Sequence, residues 1–393
     1  MLRVQVDKLK PGMTLARPVR KPSSPRVYYL NRGVALNWKT IRGLARLKVP
    51  AVWINFNDLD FLDDVVNEEA LEAQAEVYVN IRKSFSTVGR MAEAELDGET
   101  FRENVASFFD ALAVDTKNMQ LLHHLEKFDN YLYGHCVNVC SLAMMLALKM
   151  SSTIIRERSF TNFRKSTISL GVGCLLHDIG KLRVPREIVD KPGKLTPDEF
   201  AEMKRHTQYG FETLRERIDP SAAAIALHHH QRYDGSGYPD DGQRKGKAIH
   251  IFSRIATLAD VYDAATSARC YSPAKPAVQV LGEMKKMAGW FDPELATEFF
   301  RMMPPFPIGS IVTLSDGNTA AVVDYDPDHP LRPDVRLLYD AAGKRFTKER
   351  EVPLKEAPEI VITKLDGKDV IDFTLPLGKR PEQAGSAPQR KVG

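Results

Sequence analysis

Hydrophobic positions along this chain change their spacing three times, and each change predicts a different kind of structure. Over residues 1–60, short apolar or alternating runs (RVQVDKL, ARPV, RVYYL, AVWINF) are broken by Pro11-Gly12 and Asn31-Arg32-Gly33, with a helix-like stretch over 37–47. Short strands between Pro and Gly turns predict a small β-containing module, in which Trp38 and Trp53 are expected to pack. Residues 61–118 turn charged and helical in NEEALEAQAEVYVNIRKSF and ETFRENVASFFDALA. Leu71, Ala75, Val77, Val79 and Ile81 are too irregular for a heptad, so a dimerising helix and a helix lying on the next domain both stay open.

Residues 119–305 read as one helical domain. Leu132, Val139, Leu142 and Leu146 form an apolar face that turns His135 inward. Leu170, Val172, Leu175 and Leu176 lead to His177-Asp178, with Gly180 as the expected helix stop. Residues 156–166, between these helices, read as an insertion or extended loop. Further on, Pro192-Gly193 turns the chain, and Thr196, Pro197 and Glu199 spell an N-cap, a first helical position and a capping box. That helix is expected to reach about Tyr209 and stop at Gly210. SAAAIAL is helical up to Leu227, and IFSRIATLADVYDAATSARCY is helical with Asp260 and Asp263 three residues apart. From 306 to 375, strand patterns between Asp-Gly, Asp-Pro and Gly-Lys turns predict a small β appendage. Residues 376–393 are expected to be a disordered basic tail. The expected class is mainly α, with a little β at each end.

At 393 residues with 43% hydrophobic side chains, the chain has room for two or three domains. The net charge of +4 is mostly the tail, where Lys379, Arg380, Arg390 and Lys391 face only Glu382. The body is close to neutral, so the pI of 8.7 does not argue for a nucleic-acid polymer as partner. Cys136, Cys140, Cys174 and Cys270 show no CxxC spacing and read as reduced thiols of a cytoplasmic protein. The first residues lack a signal-peptide pattern, and apolar runs such as SLAMMLAL fall short of a membrane span, so none is expected.

Titratable groups are concentrated in GVGCLLHDIGK (171–181) and HHHQRYDGSGYP (228–239). A His-Asp pair ending an apolar segment is costly unless it is hydrogen-bonded or binds metal. The candidate metal ligands are His135, His177, Asp178, His206, His229, His230 and Asp260, a mixture that suits Fe, Mn or Zn. Seven side chains exceed one ion and fit two. Taken singly, His135 reads as a core histidine, and His206 and Lys181 read as surface residues. His123, His124, His250 and His329 have no assigned role, and no Ser-His-Asp or Cys-His arrangement is visible.

HDIGK at 177–181, KPGKLT at 191–196, MKRH ending at His206, HHQRYDGSGYP at 229–239 and RIATLADVYDAATSAR at 254–269 resemble the HD-GYP subset of HD-domain phosphohydrolases, in family order across about 120–305. The resemblance implies an HD-type helical bundle whose two or three metal ions hydrolyse the bacterial messenger cyclic di-GMP to pGpG, with GMP as a further product left open. It implies that the seven candidates are ligands, with Asp178 bridging. Glutamate stands where this chain has Tyr131 in members with a third ion, so two divalent ions, Fe or Mn, are expected. Asp178 and Lys181 are the implied catalytic groups. Lys181 and Arg269 are implied to meet substrate phosphate, and Gly235, Gly237 and Tyr238 to lie against substrate. Tyr238 packs on guanine or on its own loop.

Asp234 is expected to orient a ligand histidine, Asp263 to support an Arg or His, and His228 to face away or hydrogen-bond a ligand. Gln231 replaces a common Glu, with little loss expected. Ser272 replaces a basic residue for which Lys275 is a substitute. LKPGMTLARPV resembles the module that often precedes such domains, and a β extension commonly follows them. Other readings are an HD phosphohydrolase for another cyclic dinucleotide or nucleotide, and a cyclic di-GMP-responsive module that meets protein partners through the GYP loop. A homodimer is a further expectation.

Overall fold

A computed structural model describes residues 1–21, 24–47, 49, 51–56, 67–88, 98–114, 131–158, 162–239, 244–267 and 274–374. His123, His124, Arg269, Cys270, Ser272 and the tail lie outside the described residues. The chain divides into two compact units, Met1–Gly309 and Ser310–Gly393.

In the first unit, β1 (Leu2–Gln5), β2 (Val19–Lys21), β3 (Ser24–Leu30), α1 (Trp38–Arg46) and β4 (Ala51–Ile54) form the opening module. β1 pairs antiparallel with β4, and β2 with β3. Leu15, Leu36, Leu44, Val52 and Ile54 fill its core. Asn37 caps α1 through a capping box with Thr40. Trp38 corrects the packing expectation. The helix buries Ile41 and Leu44, and Trp38, in its first turn, stands outside that contact at 62% exposure.

Helices α2 (Glu68–Val88) and α3 (Gly98–Val114) pack on each other and on α4 (Tyr131–Lys149). On α2 the buried stripe is Leu71, Gln74, Ala75, Tyr78, Ile81 and Phe85, a helical spacing that a polar residue hides in the sequence. Gln74 Nε2 donates to Ser141 Oγ of α4 at 3.0 Å, so this helix lies on its own unit. α4 is buried on every side over 134–147, as the central helix of a bundle must be. Leu132–Lys149 is long and apolar enough to span a membrane by length and composition, and 78% of it is buried inside the protein. His135, Asn138 and Ser141 break the apolar run when it is read linearly.

α5 (Ser151–Arg158) follows, and α6 (Phe163–Leu176) starts at Asn162, whose side chain accepts from Lys165 N. The expected insertion is thus mostly the end of one helix and the capped start of the next. A 3₁₀ turn (Ile179–Arg183) leads through α7 (Arg186–Val189) to α8 (Pro197–Lys204), capped by Thr196 and Glu199 as predicted. The chain bends at Arg205 into α9 (His206–Leu214), which runs straight through Gly210. Neither Gly180 nor Gly210 is a stop. Both serve a close backbone approach: a Cβ on Gly180 would lie 2.5 Å from Gly210 N and closer still to His206 O. α10 (Pro220–His228), α11 (Ile251–Thr266), α12 (Ala277–Lys286) and α13 (Pro293–Met302) complete the bundle, in which α4 packs against α6, α11 and α13. The buried Arg254 guanidinium joins Glu157 and Asp292, and Asp292 in turn caps α13.

The second unit is an antiparallel six-stranded sheet of order β10-β9-β5-β6-β7-β8, built from β5 (Ile311–Leu314), β6 (Thr319–Asp324), β7 (Asp334–Tyr339), β8 (Glu351–Pro353), β9 (Ile362–Leu365) and β10 (Lys368–Asp369). Val312, Leu314, Ala320, Val322, Val335 and Leu338 are buried on it. Its last segment, expected as strand, is a helical turn, α14 (Ile371–Thr374). Asp369 accepts from Ile371 N, and Thr374 Oγ1 donates to Ile362 O.

Candidate metal centre

The seven candidate ligands converge. His135 sits on the central helix α4, His177 and Asp178 at the end of α6, His206 at the first position of α9, His229 and His230 just past α10, and Asp260 on α11. Helix ends do the positioning, because a side chain just beyond a helix can bond the carbonyls the helix leaves open. His177 Nδ1 donates to Cys174 O at 2.6 Å, His206 Nδ1 to Met203 O at 2.7 Å, and His229 Nδ1 to Ile225 O at 3.1 Å. His135 Nδ1 donates to Asp263 Oδ2 at 2.7 Å. The His177, His206 and His229 rings carry their proton outward and their Nε2 lone pair inward, the form a metal requires.

The two oxygens of Asp178 face different partners. Oδ2 lies 3.4 Å from His177 Nε2 and 3.8 Å from His135 Nε2, whereas Oδ1 lies 3.5 Å from His206 Nε2 and 3.8 Å from His229 Nε2. Asp260 also spans, with Oδ1 3.0 Å from His135 Nε2 and Oδ2 3.6 Å from His230 Nδ1. His135, His177 and Asp260 form one group of potential ligand atoms, His206, His229 and His230 another, and His177, Asp178 and His229 join them. Among the described residues, Asp178 Oδ1 and His177 Nε2 are buried with no hydrogen-bond partner. Orphaned polar atoms in a buried site are expensive, and a cation between them removes the cost. The residues therefore fit metal binding.

Burial pushes the His206 pKa down to about 4 and that of His230 down to about 3, and takes His229 well below its ordinary value, keeping all three neutral. His135 is the exception: burial pulls it down, but hydrogen bonds to Asp260 and Asp263 outweigh this and raise it to about 9. Burial opposes ionisation of Asp178 and Asp260. Lys181 and His177 nevertheless hold Asp178 well below the carboxylate range, and His135 lowers Asp260.

Lys181 Nζ meets Asp178 Oδ2 at 2.5 Å. The GYP loop lies directly over the cluster: the Tyr238 ring covers His230 with centroids 4.7 Å apart and planes at 34°. Gly235 is left-handed, φ 86°. A Cβ on Gly237 would strike Arg232 N at 2.5 Å, so glycine there is demanded by the loop's own packing. Asp234 departs from expectation. Its Oδ1 accepts from Ser236 N and its N–H bonds Gly289 O, so it orders the loop and holds no histidine. Lys275 pairs with Glu283 at 2.7 Å. His250 caps α11, accepting from Phe252 N, and His329 joins Asp326. Arg269 lies outside the described residues.

Asn138 and Thr257, which the sequence does not single out, support the site, and Gln231 closes its loop. Asn138 Nδ2 donates to Asp263 Oδ1, fixing the carboxylate that holds His135. Thr257 Oγ1 donates to His229 O, and Gln231 Nε2 donates to Pro239 O, closing the GYP loop. Asp263 stands out in the sequence by its helical spacing from Asp260. Asn138, one turn after His135 on the same face, was the readable signal for the other half of that contact.

Comparison with known proteins places an HD domain at residues 143–295 and a KOW domain associated with HD domain at 311–372. The chain is 35% identical over 240 residues to the cyclic di-GMP phosphodiesterase PA4108 of Pseudomonas aeruginosa, covering 60% of this chain and 55% of that protein. It is 45% identical over 130 residues to the cyclic di-GMP phosphodiesterase response regulator RpfG of Xanthomonas campestris pv. campestris, covering 32% and 34%. It is 40% identical over 124 residues to the 3'3'-cGAMP-specific phosphodiesterase 2 of Vibrio cholerae, covering 30% and 23%. The chain thus spans about half the length of the first relative and 34% and 23% of the other two.

Proposed function

We propose that this chain, whose residues 143–295 match an HD domain, is a two-metal phosphodiesterase that opens cyclic di-GMP to linear pGpG. The observation that carries the reading is the split of Asp178, one oxygen toward His135 and His177 and the other toward His206 and His229. His135, His177 and Asp260 would hold one ion, His206, His229 and His230 the other, and Asp178 both. Of the Fe, Mn and Zn that this mixture of imidazole and carboxylate suits, Fe or Mn is proposed here from the motif resemblance. Bound there, two such ions supply Lewis-acid charge to a phosphodiester and lower the pKa of water.

The protein's own groups do the rest. Anchored Nδ1 protons fix the imidazoles in the binding tautomer, and Asp263 with Asn138 orients His135. Lys181, already at Asp178 and 23% exposed, offers its ammonium to the scissile phosphate at the mouth of the cluster. Arg269 is proposed as a second phosphate contact by its motif position. Tyr238, stacked on His230, brings an aromatic ring to the candidate ligands.

The test is metal analysis of anaerobically purified protein beside timed hydrolysis of cyclic di-GMP and 3'3'-cGAMP, with His177→Ala and Asp178→Ala as controls. About two metals per chain, and pGpG formed by wild type alone, is the expected result. Cleavage confined to 3'3'-cGAMP, the substrate named for the Vibrio relative, would replace the substrate. Undiminished turnover in both variants would end the two-metal reading.

A further inference from the structure

The aromatic rings at the mouth of the cluster do not stop at Tyr238. Phe200, on α8, is 47% exposed, and its ring meets Tyr238 at 6.3 Å and 82°. Tyr238 in turn lies over His230 at 34° and 4.7 Å. Three rings therefore run from solvent to the candidate ligands. Lys204, one turn after Phe200, holds its ammonium 5.3 Å from the Phe200 ring centre. Scattered exposed apolar residues need no explanation. This one is half-exposed, edge-on to the ring that covers a candidate ligand, and beside a cation.

We propose that Phe200 and Tyr238 form the two walls of a purine slot, so that Phe200 is a specificity-determining residue for one base of the cyclic dinucleotide. Nearly perpendicular rings make a corner in which a planar base lies flat on one wall and meets the other edge-on, both favourable aromatic geometries. Nucleobases stack on such rings whatever their hydrogen-bonding edge, and Lys204 stands ready for the phosphate or carbonyl oxygens of the same ligand. Tyr238 lies over His230, one of the candidate ligands, so a base held on it leaves its phosphodiester at the cluster. This inference rests on the phosphodiesterase reading above.

The experiment compares Phe200→Ala, Phe200→Trp and wild type, all metal-loaded, on cyclic di-GMP and on methyl p-nitrophenyl phosphate, a phosphodiester without a base. Loss of one stacking wall should raise KM for cyclic di-GMP about 5- to 100-fold in Phe200→Ala with a smaller change in kcat, and Phe200→Trp should restore it. Turnover of methyl p-nitrophenyl phosphate should be the same in all three. An unchanged KM in Phe200→Ala overturns the slot, and so does an equal loss on both substrates, which would mark Phe200 as structural. If wild type cleaves methyl p-nitrophenyl phosphate but not cyclic di-GMP, the cyclic di-GMP reading fails and the slot with it. If wild type cleaves cyclic di-GMP and Phe200→Ala keeps its KM, the slot fails alone.

Discussion

Gly180→Ala is the substitution whose effect the geometry defines best. Gly180 lies where the turn after His177 and Asp178 crosses the start of α9. An added Cβ would sit 2.5 Å from Gly210 N and 2.8 Å from the carbonyl carbon of His206, where 3.4–4 Å is ordinary contact. Both neighbours are backbone, so turn and helix must part by about 1 Å. That gap opens between Asp178 and His206, now 3.5 Å apart at Oδ1 and Nε2. A misplacement of about 1 Å in a catalytic array costs on the order of 100-fold, and overpacking costs about 1–3 kcal/mol of stability.

The facing glycine supplies the control. A Cβ on Gly210 meets Ala226 Cβ at 3.3 Å and Gly180 N at 3.5 Å, so only a side-chain methyl must give way. Gly180→Ala should therefore lose about 100-fold in kcat/KM for cyclic di-GMP and release metal readily to a chelator, while Gly210→Ala stays within a few-fold of wild type. Timed hydrolysis, metal content and urea melts measure this, the melts showing that both variants fold. A Gly180→Ala protein as active and as metal-replete as Gly210→Ala would refute the claim that this crossing sets the site's geometry.

Asp263→Asn should weaken metal binding about 10- to 100-fold through loss of the carboxylate that holds His135, read by chelator competition; unchanged affinity would reduce Asp263 to packing. In metal-free protein, His206 titrates near 4 when folded and near 6.5 when unfolded, so the unfolded chain takes the proton first. The His206 contribution should thus lower stability as pH falls from 6.5 to 4, which urea melts across that window can check. His135 has the opposite sign: raised to about 9 from 6.5, its contribution is full below 6.5 and lost as pH rises through 9. Metal uptake near neutral pH should therefore displace its proton, and calorimetry in buffers of different ionisation enthalpy that finds no proton release would contradict this. Gln231→Glu should destabilise by about 1–3 kcal/mol in urea melts, because it sets a carboxylate against Pro239 O where a donor now stands.

What this sequence determines by itself is local. Thr196 and Glu199 cap α8 as their spacing predicts, because capping is settled within four residues. The residue types of the candidate ligands, and their order along the chain, are equally legible, since imidazole and carboxylate chemistry needs no neighbours to be recognised. The tertiary structure alone decides which groups face one another. Asp263 reaches His135 across 128 residues of chain, and the stripe on α2 makes sense only once Gln74 finds Ser141 on α4. Gly180 and Gly210 look like helix stops in the sequence and become a crossing only when the 3₁₀ turn meets α9. Phe200 is an ordinary helix residue until folding sets it beside Tyr238. Periodicity and caps report forces that act within a turn or two of chain, whereas the split of Asp178 between two sets of histidines is fixed by how separate helices pack around α4.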